Sequence, residues 1–283
     1  MTRGLPKAAL DQNVSAEDLG LWAQDDNTGC VTGMLRESGG SVLLWHIEED
    51  TIGYFDIPRI VSFVLPGETL SAFLYPYLLP GPAFGWGEGQ LHAVDSLHLR
   101  RNGCAGTFTS VAAWLVWRLG AAMDAREILR ALAPFVDGCA INVAHATGSG
   151  VQAATHAIGG PHLSSCRLRA APGSLLIQAN AIARASRAFA RAEDLRARDR
   201  ALYERRVERA QAHVERVRTR GDEPSPQDVI AMLASRKGGN YALANRDVKA
   251  HCVARVSATA IEVHVESGSA HASDVYRPDW RSG

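Results

Sequence analysis

Cys30 follows Asn27-Thr28-Gly29 and opens a strand-like run, Val31 to Leu35. A cysteine at a chain terminus created by cutting the bond before it carries a nucleophile and a base together. The thiol attacks a carbonyl, and the free α-amine, with an unperturbed pKa of about 7.7 to 8.0, accepts the proton without help from a histidine. A Gly-Cys dipeptide is also an ordinary turn followed by a small buried residue. What Cys30 does therefore depends on what the rest of the chain brings to it.

The second stretch with chemical character runs from Tyr75 through Trp86 to Gly89 and is dense in proline, glycine and aromatic residues. Such a composition forms a rigid surface loop, and it equally suits the wall of a pocket for an acyl or aromatic group. The elements that must position these residues are short strands and a few helices. Cys30 to Leu35 and Ser41 to Ile47, joined by Gly39-Gly40, read as a hairpin. The continuous apolar centre Val42-Leu43-Leu44-Trp45 suits a strand covered on both faces. Tyr54 to Ile57, Arg59 to Leu65, Ser71 to Leu74 and Gln90 to Leu97 continue in strand style.

Thr109 to Leu119 and Asp124 to Phe135 read as helices, the second capped by Asp124. Strand character returns at Cys139 to Ala146, Val151 to Ile158, Cys166 to Ala170 and Ser174 to Asn180. A long arginine-rich helical segment spans about Ala183 to Arg220. Ser225-Pro226-Gln227-Asp228 starts a further helix. Ala250 to Ser257 and Ala260 to Glu266 form a terminal hairpin. A short helix capped by Ser15 is expected near the start. The order of elements predicts a layered α+β fold with mostly antiparallel sheets.

The 283 residues, 46% of them apolar, suffice for an extensive core. Thirty basic residues balance thirty acidic ones, so no global field draws the chain to nucleic acid or to an acidic membrane. Glu193, Asp194, Asp199, Glu204, Glu208 and Glu215 interleave with the arginines of the long helix, the pattern of a solvated helix face rather than a nucleic-acid helix. The longest apolar run, Val111 to Trp117, is too short to span a bilayer, and no apolar region follows the charged start. The expectation is a cytoplasmic protein with no membrane or nucleic-acid partner, and assembly into a homo-oligomer is left open. Five widely spaced cysteines (30, 104, 139, 166, 252) make neither a disulfide framework nor a structural zinc site, so no metal or cofactor is expected.

Several stretches in this order resemble the isopenicillin N acyltransferase and carcinine (β-alanyl-amine) hydrolase family of N-terminal-nucleophile enzymes. The counterparts are Gly29-Cys30-Val31, His46-Ile47-Glu48-Glu49-Asp50, Tyr75 to Gly81, Phe84 to Leu91, Ala93 to Leu97, Gln178 to Ala181 and Asn245-Arg246-Asp247. The resemblance runs from residue 29 nearly to the end. It implies a four-layer αββα sandwich over 30–283, preceded by a leader, 1–29, that the chain removes itself by cutting between Gly29 and Cys30. Mature Cys30 would then form an acyl-enzyme with a small amide or thioester.

The resemblance further implies that Asn180 donates to the oxyanion or orients the nucleophile. It implies that Glu49 or Asp50, between which the motif does not choose, fixes the terminal ammonium, and that Arg246 stands near the thiol. His46, Tyr75, Phe84, Trp86 and Asp95 would contact substrate. The chain departs from the family at Val31, where a threonine is usual, and at Gly87 and Asp95, where asparagines are usual. Gln178 and Ala181 replace histidines. An anionic Asp95 near an oxyanion would repel it unless protonated. These changes motivate a second expectation, a family member with little activity that serves as a binding or interaction protein.

Overall fold

The computed structural model describes residues 30–49, 59–75, 83–87, 89–97, 109–119, 124–133, 138–159, 162–179, 197–235, 243, 248–267 and 270–276. Among these residues lie two antiparallel sheets and four helices, a mixed α+β architecture rich in strands. The first sheet contains β1 (Val31–Arg36), β2 (Val42–Glu49), β10 (Leu175–Ala179), β11 (Val248–Val256), β12 (Ile261–Ser267) and β13 (Ala270–Tyr276), in the order β10-β1-β2-β11-β12-β13. The second is a meander, β3 (Arg59–Leu65), β4 (Glu68–Leu74), β5 (Phe84–Gly87), β6 (Gln90–Ser96), β7 (Cys139–Thr147), β8 (Gly150–Gly159) and β9 (His162–Arg167), in chain order. The helices are α1 (Thr109–Leu119), α2 (Ala125–Leu132), α3 (Ala197–Arg218) and α4 (Pro226–Leu233).

Every residue of β1 and β2 is buried, and the alternation of side chains sorts them into two compartments. Met34, Val42 and Leu44 share one apolar core with Phe73, Phe84, Leu91 and Ala144 of the second sheet. The sheets therefore face each other across that core. Val31, Leu35, Leu43, Trp45 and Ile47 point the other way, onto Val207, Ala210 and Val214 of α3 and Val229, Met232 and Leu233 of α4. On the far side of the second sheet, Val94, Ile141 and Ile158 pack against Ala113 and Val116 of α1 and Ile128 and Leu129 of α2.

The chemistry of the ends matches these packing faces. Ser225 and Asp228 cap each other in a reciprocal box with Pro226 at the helix start. Asp124 accepts a hydrogen bond from the Arg126 backbone at 2.8 Å and starts α2. The long helix carries the expected surface pairs, Arg205 with Glu208 and Arg218 with Glu215. At the turn that follows β1, Glu37 accepts three contacts from Arg255 at 2.8–3.1 Å. Arg36 reaches across the core to the Val151 carbonyl at 2.8 Å and so joins the two sheets.

Three features differ from the sequence reading. Phe84–Gly87 is a strand, not loop, because it pairs with both β4 and β6. The terminal hairpin carries a third strand, Ala270–Tyr276, so it is a three-stranded meander. The segment expected as strand from Cys166 to Ala170 is shifted, and β9 runs His162–Arg167 in register with β8. The Ser15 helix, the Tyr54 to Ile57 strand and the long helix before Ala197 lie outside the described residues.

One close approach fixes the β1–β2 pairing. Gly33 stands opposite Trp45, and a Cβ at Gly33 would fall 2.0 Å from the indole ring. The ring therefore occupies the space that a side chain at position 33 would fill. Gly33→Ala is expected to lower stability by about 1 to 3 kcal/mol, the cost of overpacking a filled core. Gly39→Ala, with nothing within 4 Å of its added carbon, should stay within about 0.5 kcal/mol. Paired thermal or urea melts of the two variants read the difference.

Candidate active site

Cys30 lies at the entrance to β1 and Thr32 follows on the same face, turned toward the second sheet. Across the pairing, Thr32 faces His46 and Gln178, and His46 faces Cys252. Two residues beyond His46, Glu48 is on the same face again. One row of the first sheet thus presents polar side chains to the space between the sheets, beside the apolar core residues.

These groups form one continuous hydrogen-bonded line. The Cys30 thiol donates to Glu48 Oε2 at 3.7 Å, and Tyr75 donates to Glu48 Oε1 at 2.7 Å. Glu48 Oε2 lies 2.9 Å from His46 Nε2, and His46 Nδ1 lies 2.7 Å from Thr32 Oγ1. Thr32 donates to Asp95 Oδ1 at 3.1 Å. Asn142 donates to Asp95 Oδ2 at 2.6 Å and accepts from Thr155 at 2.7 Å. With Thr32 donating to Asp95, His46 carries hydrogen on Nδ1. Its other nitrogen, Nε2, meets Glu48 Oε2, so an imidazole and a carboxyl group, two of the group types that serve as general acids and bases, stand side by side next to the thiol.

The electrostatics follow from burial. Cys30 is 7% exposed. Desolvation first, then the carboxylates of Glu48 and Asp95, push its thiol well above the usual range, with the Glu49 backbone offsetting part of this. The group is a neutral thiol that needs a base at the moment of attack. Burial also raises Asp95 to about 6, against the opposing pull of His46 and the hydrogen bonds from Thr32 and Asn142. Both oxygens of Asp95 are occupied by these partners, so it anchors Thr32 and the imidazole rather than facing Cys30.

Of the residues singled out in the sequence, Cys30, His46, Tyr75 and Asp95 meet in this line. Phe84 packs edge-on to His46 at 5.7 Å and stacks on Phe73 at 4.9 Å. Trp86 belongs to the same core. Both aromatics are buried in the core between the sheets.

Glu49 takes a different position. It points to the opposite face of β2 and forms a buried two-pronged ion pair with Arg206 of α3, one arm at 3.0 Å. The carboxylate beside the thiol is Glu48. Asp50, Asn180, Arg246, Gly29 and Ala181 lie outside the described residues. Gln178 is buried and bonds the Ala179 carbonyl. Gly87 has φ +147, and a Cβ there would meet the Thr69 carbonyl at 2.7 Å, so the asparagine usual in the family would not fit this backbone.

Sequence reasoning did not single out Glu48, Thr32, Asn142 or Thr155. The first two follow from the hairpin register, which the Gly39-Gly40 pair alone misplaces. A two-residue turn there would set Glu49 opposite Cys30, whereas the actual three-residue loop, Ser38-Gly39-Gly40 between Glu37 and Ser41, sets Thr32 opposite His46 and brings Glu48 onto the face of Cys30. Cys30 Sγ, His46 Nε2 and Glu48 Oε2 also lie within 4.8 Å of one another, a sulfur, nitrogen and oxygen set able to hold a metal ion.

No protein-family model matches the chain, and no curated protein matches it. Among the described residues no helix is long and apolar enough to cross a membrane.

Asp95 gives the site a pH signature. Its folded-state pKa is above its ordinary value, so folding favours the protonated form. That stabilisation is complete below about pH 4 and is lost as pH rises through about 6. It amounts to about 3 kcal/mol at 1.36 kcal/mol per unit. His156, lowered to about 4 by burial, acts in the opposite sense, and the difference between wild type and Asp95→Asn removes its contribution. Urea melts between pH 4 and 8 should show wild type losing stability relative to Asp95→Asn as pH rises. Parallel curves would refute the assignment.

Proposed function

We propose that the chain is a cysteine-dependent N-terminal-nucleophile amidohydrolase or acyltransferase that acts on a small amide or acyl thioester after cutting itself before Cys30. The observation that carries this reading is the Cys30 thiol in contact with the Glu48–His46 pair at the entrance to a central strand. The packing of α3 and α4 on one sheet and of α1 and α2 on the other supports the finer reading of the fold, a four-layer αββα sandwich.

In the cleavage step the Cys30 sulfur attacks the Gly29 carbonyl carbon and Glu48 takes the thiol proton. The tetrahedral intermediate collapses with rupture of the carbon–nitrogen bond. The proton passes to the departing amine, which becomes the α-amine of Cys30. Water then hydrolyses the thioester and releases the leader. In the mature form the α-amine is the base. Glu48 is the carboxyl group placed to hold the ammonium that results, a role the resemblance gave to Glu49 or Asp50. Acyl transfer to Cys30 releases the first product, and water or an amine resolves the acyl-enzyme.

A second reading draws on the burial of Cys30, reinforced by the carboxylates of Glu48 and Asp95, that holds its thiol protonated. On that reading the chain keeps the scaffold and binds a partner without turnover.

Intact-mass measurement of the purified protein separates the two. The enzyme reading expects a chain that begins at Cys30, an uncut chain for Cys30→Ala, and cleavage slowed about 100- to 10,000-fold in Glu48→Gln, the range for loss of a general base. An uncut wild-type chain whose Cys30 resists a thiol-directed probe would sink the enzyme reading.

A further inference from the structure

We infer that Cys30, His46 and Glu48 form a binding site for a single borderline-soft divalent cation, of which Zn2+ is the best match. The three donor atoms already converge. Glu48 Oε2 lies 2.9 Å from His46 Nε2 and 3.7 Å from Cys30 Sγ, and all three fall within 4.8 Å. Tetrahedral zinc, with bonds of about 2.0 to 2.1 Å to nitrogen and oxygen and about 2.3 Å to sulfur, separates its ligands by roughly 3.3 to 3.6 Å. The present spacing brackets that range, so small rotations of side chains suffice. A site with three protein ligands keeps its fourth position for water or a ligand group.

The surrounding groups orient each ligand. His46 coordinates through Nε2 only if Nδ1 holds its hydrogen, and Nδ1 lies 2.7 Å from Thr32 Oγ1, which in turn donates to Asp95. This imidazole–hydroxyl–carboxylate relay is the outer support that metal-bound histidines require. Tyr75 holds Glu48 Oε1 at 2.7 Å and leaves Oε2 for the metal. Two buried carboxylates and a thiol in an apolar surround are an unfavourable place for added negative charge and a favourable one for a dication. Binding replaces the S–H bond by a metal–sulfur bond and releases the thiol proton to solvent.

The inference does not require cleavage at Gly29. If Cys30 is the nucleophile, a bound cation occupies its sulfur and holds the enzyme inactive until the metal is withdrawn.

The test uses Co2+ as the probe, added to the reduced, chelator-stripped full chain. The expected result is a thiolate-to-cobalt charge-transfer band that saturates at one equivalent, is bleached by Zn2+, which binds such sites more tightly, and ignores Mg2+. Cys30→Ser, close to isosteric, should abolish the band, whereas Cys166→Ser, which removes a more accessible thiol, should retain it. Thr32→Val should weaken Co2+ binding about 10- to 100-fold, the usual effect of removing an outer-shell partner, with thermal melts confirming that the variants fold. No band in the wild type, or a band that persists in Cys30→Ser, overturns the inference. Intact mass reports cleavage separately, so failure of metal binding and failure of the enzyme reading are distinguishable.

Discussion

A carboxylate placed between two apolar sheets must be surrounded by hydrogen-bond donors or take up a proton, and the polar interior of this molecule is arranged around that demand at Glu48. Tyr75 serves one oxygen, while His46 and the Cys30 thiol serve the other. The imidazole transmits the requirement to Thr32, Thr32 to Asp95, and Asp95 to Asn142 and Thr155 on the opposite sheet. No member can be removed without leaving a neighbour unsatisfied, so the line also sets how the two sheets sit on each other.

Strand alternation turns one acidic dipeptide into two unlike devices. Glu48 faces the intersheet space and meets the thiol. Glu49, one residue on, faces the helices and is neutralised by Arg206, itself 2% exposed. A guanidinium that matches a carboxylate with two parallel bonds is the geometry that makes such burial tolerable. The pair pins α3 to β2 close to the strand end where Cys30 stands. Support from behind and chemistry in front thus share three or four residues of β2.

Much of the architecture was legible in the sequence. The buried hairpin of β1 and β2, the α1 span, and the caps at Asp124 and Ser225 follow from local pattern and side-chain chemistry that tertiary packing did not override. The β5 strand was hidden because Phe84-Gly85-Trp86-Gly87 has the composition of a loop, and only its neighbours on both sides supply the pairing. For the site, matching motifs by position drew attention to Glu49 and Asp50, whereas the residue beside the thiol is fixed by the hairpin register, and that register depends on a three-residue loop, Ser38-Gly39-Gly40, rather than on the two glycines alone. Arg206 was indistinguishable from the surrounding surface arginines, since only the docking of α3 determines which one is buried. Asn142 and Thr155 come from strands far along the chain, and nothing local marks them.

The strand order of the first sheet has a consequence for synthesis. β1 and β2 are made before their outer partners, β10 and β11. Until Leu175–Ala179 and Val248–Val256 have been made, a hairpin with buried-type side chains on both faces has two unpaired edges. Such edges are templates for pairing with another chain, and long-range strand pairing is slow. The growing polypeptide therefore carries this hairpin with open edges until both flanking strands have been made. Pairing of that hairpin with the wrong strand is the misfolding route this strand order leaves open.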